Sequence, residues 1–237
     1  MCRSTDSRDK RTRVGALVET DGGTNILIDT PPELRLQLIA ANVSRVDAIL
    51  FTHDHADHVH GIDDIRALSD RSDKPIDMYG PPETMERLSK RFAYIFDDSI
   101  KALPGTSKPE GRSHAVFPGK SFRVGDIDVL PVAVPHGPVS VYGYRIGNLG
   151  YITDAKSLPE EAVRIFQGVS VLVLNALFRS PHPTHLSLSE AVDAAKKIGA
   201  RQTYLTHLTH RTGHAELERE LPRGIAPAFD GLTVQVA

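Results

Sequence analysis

The sequence predicts an α/β protein: a four-layered αββα sandwich of two packed, mostly antiparallel or mixed sheets with helices outside. Two observations predict it. Short apolar runs followed by helical periodicity fill the first half of the chain, and the same succession returns in the second half. The 237 residues, 40% hydrophobic and 24% charged, have ordinary globular composition and can bury a substantial core. The chain reads as one domain, 1–237, with a polar arm at 1–13 and a mobile loop at 97–113.

The elements follow in order. The arm carries Arg3, Arg8, Lys10, Arg11 and Arg13 among polar residues, either as a solvated tail or as a phosphate-facing patch. Residues 14–19 and 25–28 flank Asp21-Gly22-Gly23 and read as a β-hairpin. Pro32 and Glu33 open a helix with Leu34, Leu38 and Ala41 at helical spacing, and residues 46–51 form an apolar strand. Ile62, Ile65 and Leu68 mark a helical face. A strand at 76–79 precedes a helix from Pro82 to about Phe96. Residues 97–113 have no period and many breakers, which predicts a functional loop. Strands at 122–124, 127–134, 141–146 and 151–153 come next, then a helix at 158–166 with Ser157 as N-cap. Residues 169–174 are a continuous apolar strand, 187–198 an amphipathic helix ended by Gly199, and 202–205 another strand. A short helix at 215–221 and a closing strand at 232–236 complete the chain.

The totals exclude several classes. A net charge of −2 gives no footprint for a long nucleic acid. Cys2 is the only cysteine, so no internal disulfide forms. No run of about 18 apolar residues is present to span a membrane, and the polar N-terminus lacks a signal core. The expected location is the cytoplasm.

Directly behind the 46–51 strand lies Thr52-His53-Asp54-His55-Ala56-Asp57-His58, three imidazoles and two carboxylates in six residues. Imidazole nitrogen and carboxylate oxygen are the ligands that zinc or manganese prefer. In a turning segment His53 and His55 point the same way, while Asp57 and His58 fall past the bend and can face a second ion. A solvated turn and a structural zinc site are the alternatives; the second is disfavoured because such sites are thiolate-rich. Three further strand ends carry metal-capable groups: His136, Asp154 and His207.

This series resembles the metallo-β-lactamase superfamily, whose pattern is His-x-His-x-Asp-His, a distant His, a bridging Asp and a final His. The resemblance runs from about Val14 to the C-terminus. It implies that His53, His55 and His136 hold one divalent ion. Asp57, His58 and His207 would hold the other, with Asp154 and a hydroxide bridging them. The branch with a cysteine ligand is disfavoured because Cys2 stands apart, and the flavodiiron branch has Glu where this chain has His55. The segment from Thr184 to Ala191, with the helix and strand leading to His207, is similar to the phosphodiesterase branch of ribonuclease Z and the cyclic phosphodiesterase of phosphonate degradation. The basic segment 8–13 and Gly61-Ile62-Asp63-Asp64-Ile65-Arg66 look more like the phosphonate type.

The resemblance implies a hydrolase that cleaves a phosphodiester, in a small cyclic phosphate or nucleotide-like substrate. Asp57 would hold the nucleophile as well as ligate metal, and His185 would act as general acid, with His182 its rival. Asp63 and Arg66 would fix ligand imidazoles or line the substrate site, or else form an ordinary helix start. His60, His114 and His214 read as surface residues. The resemblance implies a Gly-rich strand before the basic segment, which this sequence starts too late to contain; a shortened or mis-started reading frame is the expectation. Some bind a structural zinc for which only Cys2 and His210 match, too few ligands to hold it. The rivals are a thioester hydrolase of glyoxalase type and a non-catalytic nucleotide- or metal-binding sensor. A homodimer is left open.

Overall fold

Alternating apolar stretches and breakers give two compact units in the computed structural model, which describes residues 3–237. One unit is Arg13–Ile127; the other is Asp128–Ala237 with the N-terminal segment up to Thr12.

In the first unit β1 (Ala16–Glu19) and β2 (Asn25–Ile28) make the expected antiparallel hairpin. There follow α1 (Leu34–Ala40), β3 (Ala48–Leu50), α2 (Ala56–Val59), a 3₁₀ turn at Ile62–Ile65 and α3 (Arg66–Ser72). Then come β4 (Ile76–Gly80), α4 (Pro82–Arg91), α5 (Ala93–Phe96), β5 (Gly111–Ala115) and β6 (Phe122–Val124). The sheet runs β1-β2-β3-β4-β5, parallel from β2 onward. Parallel strands are buried on both faces, so residues 48–51 read as an unbroken apolar run. Leu27, Ile49 and Met78 lie opposite one another in the ladder and pack with Leu34, Leu38, Ile62, Ile65, Leu68, Met85 and Leu88. Gly61 permits the close approach of the turn after α2: a Cβ there would lie 2.0 Å from the Pro31 carbonyl oxygen.

The second unit holds β7 (Ile127–His136), β8 (Val139–Ile146), β9 (Leu149–Ile152), α6 (Glu160–Phe166) and β10 (Val171–Asn175). It continues with α7 (Leu188–Ile198), β11 (Gln202–Thr206), α8 (His214–Glu220) and β12 (Ile225–Pro227). Its strands lie in the order β12-β11-β10-β9-β8-β7, antiparallel from β7 to β9 and parallel from β9 to β12. The C-terminal ends of β7, β9, β10 and β11 therefore share one edge. Phe166 of α6 and Ala191, Ala195 and Ile198 of α7 pack on Val132, Ile152, Leu172, Leu174 and Leu205. Ser187 and Glu190 cap α7 reciprocally, and Gly199 ends it.

Several expectations are corrected. The irregular stretch ends at residue 110, because Gly111–Ala115 pairs with β4 as an edge strand; its polar, mostly exposed side chains show no alternation. The helix from Pro82 breaks at Phe92 (φ −120°, ψ 45°) before α5. Pro159, not Ser157, is the N-cap of α6, since the residue before a proline is disfavoured from helical conformation. No strand forms at 232–236; the last strand is β12, which pairs with β11. Three arginines of the basic arm are tied down, while Arg3 and Lys10 stay exposed. Arg8 pairs with Asp6 and Glu218, Arg13 with Glu33, and the Arg11 Nη1 donates to the carbonyls of Thr209 (3.0 Å) and Thr212 (3.1 Å). His214 is buried rather than on the surface, and its burial pushes the imidazole below its ordinary pKa. Cys2, and with it the Cys2–His210 pairing, lies outside the described residues. Among them, no helix is long and apolar enough to cross a membrane.

Candidate metal centre

The first unit presents its ligands where β3 ends. Thr52 and His53 are buried, His55 is the N-cap of α2, and Asp57 and His58 sit in its first turns. Sequence reading missed the residue that orders this cluster. Asp29, fully buried past the end of β2 at φ 61°, accepts from the Thr52 backbone N–H (2.8 Å), the Thr52 hydroxyl (2.8 Å) and His58 Nδ1 (2.8 Å). Burial pushes the Asp29 carboxyl up, and the bonds from His58 and Thr52 pull it down. Its only sequence signal is a carboxylate just past the 25–28 strand.

The network settles both tautomers. Thr52 gives its hydroxyl proton to Asp29, so it accepts from His53 Nδ1 at 3.0 Å. That leaves the His53 Nε2 lone pair directed away, 2.9 Å from His55 Nδ1. His58 gives its Nδ1 proton to Asp29, and its Nε2 lies 3.7 Å from Asp57 Oδ2. Metal-binding imidazoles characteristically have the other nitrogen tied to a carboxylate, carbonyl or similar acceptor.

The second unit repeats the device at the shared strand edge. His136 closes β7 and donates from Nδ1 to the Thr184 carbonyl (2.8 Å), leaving Nε2 3.8 Å from Asp154 Oδ2. Asp154 follows β9 at φ 60° and His207 follows β11 at φ 55°, left-handed conformations that cost non-glycine residues roughly 1–3 kcal/mol. Their carboxylate and imidazole meet at 3.1 Å. Asn175, at the end of β10, fixes the next residue from both sides: its Oδ1 accepts from Ala155 N (2.8 Å) and its Nδ2 donates to Ala155 O (3.0 Å).

His185 is buried among these groups. Its Nδ1 meets Thr184 Oγ1 at 2.8 Å, and its Nε2 makes no hydrogen bond although it lies 3.4 Å from Asp154 Oδ2. Asp154, His185 and His207 offer three ligand atoms within 4.8 Å of one another. A cluster of nitrogen and oxygen donors without thiolate fits a borderline divalent cation. His182, between two prolines, packs tilted against His185 with ring centres 5.2 Å apart; burial, then His185 and Lys156, lower its pKa.

Asp63 and Arg66 have other partners. They form a two-pronged ion pair (3.0 and 2.9 Å), Tyr94 donates to Asp63 (2.8 Å), and Arg66 donates to the Ser107 carbonyl (3.0 Å). They hold the irregular loop rather than the imidazoles. His60 is exposed, and His114 stacks on Tyr79 and bonds Asp77.

Residues 24–208 match the model of the beta-lactamase superfamily domain. A solved diphosphatase from the PhnP family is 36% identical, with a TM-score of 0.90, over 100% of this chain and 89% of that one. The octanoyltransferase of Porphyromonas gingivalis is 35% identical over 98% of this chain, but the chain spans only 46% of that protein's length. The ribonuclease Z of Methanothermobacter thermautotrophicus is 26% identical over 90% of this chain and 88% of its own. The chain thus belongs to the beta-lactamase superfamily and has the metallo-β-lactamase fold. Within it, the chain stands in the phosphodiesterase branch, beside PhnP-family and ribonuclease Z proteins. At that level its His/Asp clusters are suited to divalent metal.

Proposed function

We propose that the chain is a two-metal hydrolase of small phosphodiester- or diphosphate-containing substrates. The observation that carries this reading is the pair of pre-oriented half-sets of ligands, each incomplete alone, in a chain 36% identical to a PhnP-family diphosphatase. On this reading His53, His55 and His136 would hold one ion and Asp57, His58 and His207 the other, with Asp154 available to both. When bound, two such cations acidify water and neutralise phosphate oxygens.

The protein's own groups do the rest. Asp29 and the Thr184 carbonyl keep the imidazole lone pairs inward. Asp57 orients the attacking water by hydrogen bond as well as ligating. His185 gives a proton to the leaving oxygen from Nε2, a contribution worth typically about 10²–10⁴-fold. Asp63 and Arg66 act on substrate through the loop they anchor at Ser107. The same reading takes zinc or manganese as the ions, the cytoplasm as the place, and a small phosphate compound rather than a long nucleic acid as the partner; it leaves room for a homodimer.

A second reading, hydrolysis of an acyl thioester, is favoured by the 35% identity to an octanoyltransferase. The two separate in one assay. The metal-loaded protein, given bis-p-nitrophenyl phosphate, glutathione thioester and octanoyl thioester with Mn²⁺ or Zn²⁺, should turn over the diester. Turnover of thioester alone rejects the phosphodiesterase, and nucleotide binding without any turnover leaves a sensor. In His185→Ala, rate should fall most for poor leaving groups while metal content is kept.

A further inference from the structure

Arg211 stands out among the cations around the second half-set. Arg179, next to Phe178 in the chain, is saturated by Glu220 (2.6 Å) and Glu216 (2.8 Å), and Arg8 by Asp6 and Glu218. The Arg211 guanidinium has no carboxylate partner among the described residues, although Arg211 is exposed. It is nevertheless held in place. Its Cζ lies 5.0 Å from the centre of the Phe178 ring, and its backbone N–H donates to Thr209 Oγ1 at 3.3 Å. Cation–π attraction to the ring uses none of the guanidinium's five N–H donors, which stay available to a ligand.

The position is as informative as the pairing. Ring centres step from His207 to His185 (5.0 Å), to His182 (5.2 Å) and to Phe178 (5.4 Å), on which Arg211 rests. Arg211 also follows His207 by four residues, at most about 14 Å of extended chain. A planar guanidinium edge offers a fork matched to phosphate oxygens.

We propose that Arg211, held over Phe178 beside His182, is the receptor for a second phosphoryl group in the non-reacting part of the substrate. The proposal rests on the phosphohydrolase reading and narrows it to substrates carrying two phosphoryl groups, of the nucleoside diphosphate kind. A lost charge-assisted fork costs on the order of 10–100-fold in affinity.

The test uses the full, metal-loaded chain with metal content measured before and after each titration. ADP and AMP are titrated by calorimetry, and bis-p-nitrophenyl phosphate turnover is followed in parallel. Arg211→Ala should lose 10–100-fold in ADP affinity while AMP affinity and diester turnover change less than about threefold. Phe178→Leu, which keeps an apolar side chain but removes the ring, should lose several-fold in ADP affinity only. Unchanged ADP affinity in Arg211→Ala, or equal losses for ADP and AMP, overturns the receptor while wild-type diester turnover still upholds the hydrolase. A wild type that cleaves no diester removes the reading and the receptor together.

Discussion

Asp29→Asn tests the logic of the first half-set most directly. The carboxylate accepts three bonds from groups that all donate: the Thr52 N–H on Oδ1, and the Thr52 hydroxyl and His58 Nδ1 on Oδ2. An amide keeps the shape but turns one oxygen into a donor. If the NH₂ replaces Oδ1, it faces a backbone N–H that cannot change role. If it replaces Oδ2, His58 can comply only by moving its proton to Nε2, which removes the lone pair offered to metal. An unsatisfied buried donor costs about 1–3 kcal/mol, and loss of such an orienting partner typically costs about 10–100-fold in metal affinity or activity. The expected variant is folded, less stable by about 1–3 kcal/mol in denaturant titration, and weakened 10–100-fold for Zn²⁺ and Mn²⁺ in chelator competition. A folded Asp29→Asn that binds both ions like wild type would refute the argument that Asp29 sets the His53 and His58 tautomers.

Three more outcomes follow from the second unit. Asn175→Ala strips the buried Ala155 N–H and carbonyl of their partners, so we expect a loss of about 2–4 kcal/mol and displaced Asp154, read as lower metal affinity; an unchanged denaturation midpoint contradicts it. Gly137→Ala adds a Cβ 2.6 Å from Thr184 Cγ2 at φ 60°, pushing on the residue whose carbonyl holds His136. It should lower turnover at least tenfold with the fold kept by circular dichroism, and wild-type kinetics would count against that route. Lys156, then the Ser187 backbone, hold the Glu190 carboxyl at about 2, below its usual 4.5. The folded state therefore favours the charged form, and its contribution, present above pH 4.5, is lost as pH falls toward about 2. Partial exposure screens it to under about 1 kcal/mol; Glu190→Gln should flatten the stability profile across that window.

Much of this protein was legible in the chain itself. Period-2 and period-3.6 apolar patterns set most strands and helices, and Ser187, Glu190 and Gly199 marked the ends of α7 because caps are local chemistry. The His/Asp residues at strand ends announced a metal-binding family because that ligand spacing is itself local. What lay far apart in sequence was hidden. Asp29 serves Thr52 and His58, Asn175 serves Ala155, and Arg11 holds carbonyls nearly 200 residues away; none of these partners has a sequence signature. The strand pattern at 232–236 failed for a related reason: apolar alternation shows only that a segment could pair, and tertiary structure decides whether it does. Spacing chooses which atoms are offered to a metal, whereas folding alone chooses which of their lone pairs face inward.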